Sequence, residues 1–302
     1  MNTSEIDIAL LVVGYSKPIL FEKAVRSLDY LGLPKSVKRY GVIDGPKEIK
    51  GDLYEKNRSV KIIGKKLLDE GHLNSLKIRR KNLGTMKNMH KSVTEILRNH
   101  KYIFVLEDDL EVVPVAKGSI KIMLSKLNES INSFSIYCHN SYTENIFYSH
   151  RYSSQAWGTS RKAWLKFNPL KIKKMDLSFY EIKKLNRKCG SDIYSSFKAF
   201  KKGSLDTWAV PWNIYNFKNS NMMVYPPKSY ILNNSHLIGA ERTEGIEFKY
   251  HIAKYLLQKD YINPQLNKRY LTHFSIINRI KRYIFAKIFK YKNNIYAKIS
   301  KK

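Results

Sequence analysis

Three consecutive acids, Glu107, Asp108 and Asp109, follow the apolar run 102–106 and precede Leu110, Glu111, Val112, Val113 and Pro114. Carboxylates packed this closely repel one another unless a cation joins them. A divalent metal held by one or two carboxylates plus substrate phosphates relieves that repulsion. The competing reading is a solvated turn of unpaired acids. Two further polar sets end expected strands: Gly14-Tyr15-Ser16 after the apolar run 8–13, and Asp44-Gly45-Pro46 after residues 38–43.

The elements that must position these groups follow from the spacing of apolar residues. The apolar runs at 8–13 and 102–106 read as buried strands, the first of them buried on both faces, and 38–43 reads as a second strand closed by the turn Asp44-Gly45-Pro46, with 73–79, 134–138 and 222–225 as further strands. Pro18 opens a helix continuing over 19–31, and helices are expected at about 60–70, at 85–97 and from Pro114 to about 127. Strands alternating with helices predict an α/β fold with a mostly parallel sheet. Ligands of such sheets sit beyond the carboxyl ends of the strands, where the three polar sets fall.

The chain has 302 residues, 43% of them hydrophobic, enough for a proper core and against global disorder. No apolar run reaches the roughly 18–20 residues of a membrane-spanning helix. Glu5 and Asp7 stand where a secretory leader would be basic, so none is expected. Cys138 and Cys189 are too few for a disulfide framework and read as reduced thiols of a cytoplasmic protein. The balance of 55 Lys and Arg against 25 Asp and Glu gives a net charge of +30. Such a field favours polyanions: nucleic acid, anionic lipid or phosphorylated small molecules. General enrichment in Lys, Ile, Asn and Tyr accounts for part of it.

The acid motif, strand–Glu107-Asp108-Asp109–Leu110-Glu111-Val112 with Pro114, resembles the metal-binding motif of GT-A glycosyltransferases. The nearest types are N-acetylglucosaminyltransferase I and bacterial family-2-like sugar transferases. The resemblance extends over most of residues 6–245. It includes Val12-Val13-Gly14-Tyr15, Asp44-Gly45-Pro46, Asn82-Leu83-Gly84, Trp157-Gly158-Thr159-Ser160, Asp206-Thr207-Trp208 and Tyr225-Pro226-Pro227. It implies a GT-A (Rossmann-like), mostly parallel sheet flanked by helices, with a catalytic domain over 1–245. Residues 1–115 would be the nucleotide-sugar half and 116–245 the acceptor half.

The resemblance also implies roles. Asp109 would bind Mn2+ or Mg2+, Asp108 would face the donor ribose or sugar, and Glu107 would shape the site. Asp44 would recognise the base, with Val13, Gly14 and Tyr15 lining the nucleoside pocket. Asp206 would be the catalytic base of an inverting transfer. Its alternative is to cap the helical run that follows it. The chemistry is consistent with this division: a metal stabilises the leaving diphosphate, and a separate carboxylate deprotonates the acceptor hydroxyl. Trp157 and Trp208 could stack on sugar rings or pack in the core. Gly158 would allow close backbone approach to the sugar. His236 would add a metal ligand. Lys87 and Arg242 could pair with donor phosphates or lie on the solvated surface.

The last segment, 246–302, is expected to be a basic helical extension. Within 274–302 there are nine basic residues and no acid, with Ile276, Ile280, Ile284 and Ile288 at helical spacing. This pattern fits contact with an anionic membrane surface. The expectation is therefore a hexosyl- or N-acetylhexosaminyltransferase of bacterial surface polysaccharide or lipopolysaccharide synthesis. It would use a nucleotide-diphosphate sugar, with a UDP-sugar favoured, and a glycan or lipid-linked glycan acceptor. It would lie in the cytoplasm, peripheral to the inner membrane. Two alternatives stand beside it. A basic nucleic-acid-binding protein or metal-dependent nuclease would fit the charge, though no nucleic-acid-binding motif is visible. A nucleotidyltransferase would share the acids but would want a Gly-rich phosphate loop that Gly14-Tyr15-Ser16-Lys17-Pro18 does not supply.

Overall fold

The computed structural model describes residues 6–138 and 145–234. The first half alternates strand and helix: β1 (Ile8–Gly14), α1 (Pro18–Ser27), β2 (Arg39–Ile43), α2 (Asp52–Asp69), β3 (Ser75–Ile78), α3 (Thr85–Leu97) and β4 (Tyr102–Glu107). There follow β5 (Leu110–Val112), α4 (Ser119–Leu124), β6 (Ile131–Ser135), β7 (Phe147–Ser149) and β8 (Trp157–Ser160). A helical group, α5 (Arg161–Trp164), α6 (Pro169–Lys173), α7 (Phe179–Cys189), α8 (Ser191–Lys202) and α9 (Ala209–Lys218), leads to β9 (Met222–Tyr225) and β10 (Ile231–Asn233).

Eight strands form one sheet in the order β3-β2-β1-β4-β8-β6-β9-β7, and β10 pairs with β5 in a separate ribbon. The four pairings β1–β2, β1–β4, β2–β3 and β6–β9 are parallel. The expected mostly parallel sheet flanked by helices is present. It runs continuously past the expected division at 115/116, because β4 hydrogen-bonds to β8.

The central strands are apolar on both faces because each face meets its own helical layer. Along β1, Ile8, Leu10 and Val12 enter one core cluster, while Ala9 and Leu11 enter the other. Val25 and Leu28, with Val60 and Leu67 of α2, cover the first face. Met89, Val93 and Leu97 of α3, with Trp164, Trp208 and Trp212, cover the second. Fully burying side chains of this size contributes about 1.5–3 kcal/mol each before the entropy of ordering the chain is subtracted.

Three elements differ from their sequence reading. The helix expected from Pro114 is a 3-10 turn at Pro114–Ala116 and then α4, interrupted where Gly118 takes φ 83. The strand expected at 134–138 lies three residues earlier. Its polar residues are buried against internal partners: Asn132 Nδ2 donates to Asn216 Oδ1 at 2.7 Å, and Ser133 Oγ to Thr159 Oγ1 at 3.1 Å. Helix α2 starts at Asp52, well before residue 60, and its first turns carry Lys56–Asp52 and Arg58–Glu55 pairs. Among the described residues, no helix is long and apolar enough to cross a membrane, and Cys138 and Cys189 are buried outside any disulfide. The expected extension at 246–302 lies outside the described residues.

Candidate active site

Strand register brings the expected groups to one edge. Val13, half-buried, lies opposite both Val42 and Glu107, and Gly14 lies opposite Ile43. The carboxyl ends of β1, β2 and β4 are therefore side by side. The acids then meet the chain leaving β1. The Tyr15 backbone N–H donates to Asp108 Oδ2 at 3.1 Å. Lys17 Nζ lies 2.9 Å from Asp109 Oδ2 and 3.7 Å from Asp108 Oδ1. Glu107 Oε1 accepts a long 3.5 Å bond from Trp208 Nε1. The Asn234 backbone N–H donates to the Asp109 carbonyl at 2.7 Å, so the chain leaving β10 closes over the same turn.

The three acids are poised to receive positive charge. Burial, reinforced by the negative charges of Asp109 and Asp108, pushes the Glu107 carboxyl up to about 8. Burial likewise raises Asp108 to about 6, with Asp109 adding to the shift and Lys17 opposing it. Burial alone would lower the Lys17 ammonium, but the charges of Asp108 and Asp109 outweigh it and hold Lys17 above its ordinary value. Lys17 was not foreseen as a site residue. Its signal was its position between β1 and the helix-opening Pro18.

Asp44 has a different set of partners. It is buried, and its carboxylate accepts from the backbone N–H groups of Gly45, Leu83 and Gly84 at 2.9–3.2 Å and from Asn82 Nδ2 at 3.2 Å. Burial raises its pKa, against the lowering effect of these bonds. Asp44 thus anchors the loop that starts α3. Asn57 of α2, another residue the sequence reading passed over, donates to the carbonyls of Tyr15 at 2.7 Å and Asp44 at 2.9 Å. It ties the ends of β1 and β2 together. The visible signal was an Asn in a buried position of α2.

Asp206 lies exposed in the segment between α8 and α9. Its Oδ2 accepts from the Thr85 N–H at 2.6 Å and its Oδ1 from the Met86 N–H at 3.0 Å. It does not cap the helix that follows it, whose N-cap is Trp208 without a side-chain bond. It caps α3 instead. Gly84 adopts φ +78, and a Cβ there would stand 2.4 Å from Asp206 Oδ2, so glycine is what lets the carboxylate reach the helix end.

Of the two readings of the tryptophans, the structure has the core one. Trp157 and Trp208 are 0% and 2% exposed and stack on each other at 4.3 Å, within a cluster that includes Trp164 and Trp212. Neither ring is presented to a sugar. Gly158, expected to approach a sugar, is inside the sheet, where a Cβ would meet the Phe134 ring at 2.3 Å and the Ile103 carbonyl oxygen at 2.6 Å. Gly14 similarly makes room for the Phe21 ring of α1. Both were read as backbone near a ligand because sequence alone does not distinguish that from close packing.

Tyr15 is half-buried; its hydroxyl accepts from the Lys47 N–H at 3.3 Å. Lys87 is exposed on the first turn of α3. His236 and Arg242 lie outside the described residues.

Among the described residues, no three His, Cys, Asp or Glu side chains converge into a metal cage. The donor set nevertheless fits a hard divalent cation. It consists of the clustered carboxylates of Glu107 and Asp108, raised in pKa by burial first and neighbouring negative charge second, and of Asp109, which already draws in the Lys17 ammonium. Mg2+ and Mn2+ sites of this kind use one or two carboxylates and take the remaining oxygens from phosphate and water. Asp109, with Asp108 beside it, is placed to supply them.

No family model matches the chain, and no curated protein matches it. Solved structures similar to it include residues 1–349 of S. aureus TarS, at 12% identity and TM-score 0.45, covering 76% of this chain and 60% of that one. The mannosyltransferase PcManGT from Pyrobaculum calidifontis, in complex with GDP-Man and Mn2+, is similar at 10% identity and TM-score 0.40, covering 72% and 74%. GalNAc-T7 with UDP, GalNAc and Mn2+ is similar at 8% identity and TM-score 0.47, covering 75% and 43%. The chain thus spans less than two thirds of the length of the TarS fragment and of GalNAc-T7.

Proposed function

We propose that this chain is a glycosyltransferase that moves a hexosyl or N-acetylhexosaminyl group from a nucleotide-diphosphate sugar to a glycan hydroxyl. The observation that carries the reading is the gathering of Glu107, Asp108 and Asp109 against Tyr15 and Lys17 at the carboxyl edge of the parallel strands. A nuclease would share the acids. What favours the sugar donor is a separate, exposed carboxylate, Asp206, bonded to the first turn of α3, whose preceding loop is anchored by Asp44.

In this reading the ends of β1 and β2, around Val13, Tyr15 and Asp44, line the nucleoside pocket. Asp109 would hold one divalent ion, Mn2+ or Mg2+, which would supply Lewis-acid stabilisation to the leaving diphosphate. Asp108, oriented by the Tyr15 N–H, faces the donor ribose or sugar. Lys17 turns its ammonium from the acids to the diphosphate as a point charge. Asp206 accepts the proton of the acceptor hydroxyl while that oxygen bonds to the anomeric carbon and the nucleoside diphosphate departs. The two α3 N–H bonds fix its orientation, and a carboxylate has about four lone-pair sites, so acceptor sites remain. A UDP-sugar donor, and bacterial surface polysaccharide or lipopolysaccharide synthesis at the cytoplasmic face of the inner membrane, complete the proposal. The test is a panel of nucleotide sugars incubated with Mn2+, Mg2+ or EDTA. Slow, metal-dependent release of one nucleoside diphosphate supports the reading, and no turnover with any donor and metal refutes it.

A further inference from the structure

The helical group beside Asp206 also exposes large apolar side chains. Helices α6 and α7 both pack on α9. Between residues 165 and 180 large apolar side chains are exposed: Leu165 after α5 at 49%, Leu170 of α6 at 58%, and Tyr180 and Phe179 in the first turn of α7 at 71% and 72%. Exposed lysines alternate with them, at 166, 171, 174 and 183. The first turn of α7 is held by a reciprocal Ser178–Glu181 capping box, which fixes the backbone that presents Phe179 and Tyr180. Lys183 Nζ sits 4.6 Å from the Phe179 ring centroid.

The charge around this surface is one-sided. Residues 161–202 hold thirteen Lys and Arg against three acids. Each acid is engaged: Asp176 with Lys201, Glu181 with Lys218 and Asp192 with Arg151. Interleaved lysines and large apolar residues match the interface of an anionic bilayer, where headgroups meet the ammonium groups and the acyl boundary receives the apolar side chains. A soluble polyanion would satisfy the lysines and leave Leu170, Phe179 and Tyr180 in water. A second copy of the chain on a two-fold axis would set like charges against each other.

We propose that this face docks the chain on an anionic membrane, with Phe179 and Tyr180 entering the headgroup region. The proposal stands apart from the glycosyltransferase reading and does not depend on it. The test uses the full chain and sedimentation with vesicles of phosphatidylcholine, alone or with about a third phosphatidylserine. Wild type is expected to partition onto the anionic vesicles. Phe179→Ser/Tyr180→Ser and, separately, Lys171→Glu/Lys174→Glu are each expected to lower that partition by roughly tenfold or more, with unchanged thermal unfolding. All four positions are outside the core, and either pair alone suffices if the other fails to fold. Wild type that ignores anionic vesicles, or both variants binding like wild type, overturns the proposal. So does polyphosphate binding lost only in the lysine variant, or a dimer dissociated by the aromatic variant. Those two results would identify a soluble polyanion or a second copy as the occupant.

Discussion

The Thr85 backbone N–H donates to Asp206 Oδ2 at 2.6 Å across 121 residues of sequence. With the Met86 N–H bond to Oδ1, it joins the first turn of α3 to the segment that carries the proposed base. Asp206 supplies the cap that Gly84, lacking a side chain, does not. Asp206→Ala should therefore cost about 1 kcal/mol in urea unfolding, whereas Asp206→Asn, which keeps an acceptor oxygen, should cost less. Catalysis separates the variants differently. If Asp206 is the base, Asp206→Asn loses roughly 10²–10⁴-fold in transfer while keeping donor binding. Full transfer by Asp206→Asn would leave it a helix cap alone.

Lys17 pairs with Asp109 and would compete there with the proposed metal. Lys17→Met should bind Mn2+ more tightly than wild type in the absence of nucleotide, because it removes the resident cation. The same variant should bind nucleoside diphosphate more weakly in the presence of Mn2+. Titration calorimetry of each ligand reads both signs. Weaker Mn2+ binding by Lys17→Met would contradict the competition.

The acids give a pH dependence with a definite sign. Glu107 and Asp108 are raised to about 8 and about 6 from 4.5 and 3.8, so the folded state binds more protons than the unfolded state between these limits. Without metal, their contribution to stability is fully present at about pH 4 and is lost as pH rises to 8. The melting temperature in EDTA should fall over that window, and less steeply in Glu107→Gln. Mn2+ should raise it more at pH 8 than at pH 5, because protons compete for the same oxygens.

Asp44→Ala leaves the Leu83 and Gly84 N–H groups without their acceptor. The expected loss is about 1–3 kcal/mol in denaturant unfolding, with the start of α3 losing hydrogen-exchange protection first. An unchanged midpoint would show that these donors find other partners.

Much of this was legible in the chain. The apolar runs of β1 and β4 and the helix Thr85–Leu97 mark themselves by period and by the polar residues that stop them, and β2 by the turn Asp44-Gly45-Pro46 that closes it. The acid cluster stands out because such a group at a strand end is costly without a cation. What was not legible depended on tertiary partners. Strand β6 hides its period behind Asn132 and Ser133, whose partners come from β8 and α9. Trp157 and Gly158 look the same in sequence whether the neighbour is a sugar or Trp208 and Phe134. Lys17 is one lysine among many until β1 ends beside Asp109, and Asp206 suggests a cap without saying which helix it caps.

The most direct test of the central claim is calorimetric binding of uridine and guanosine diphosphates, with Mn2+ or with EDTA, to wild type and Asp109→Ala. The account predicts that one diphosphate binds wild type only with the metal, and that Asp109→Ala loses this binding while unfolding at a temperature no lower than wild type. Binding that is equally tight in EDTA, or undiminished in Asp109→Ala, would contradict a metal-held nucleotide at the end of β4.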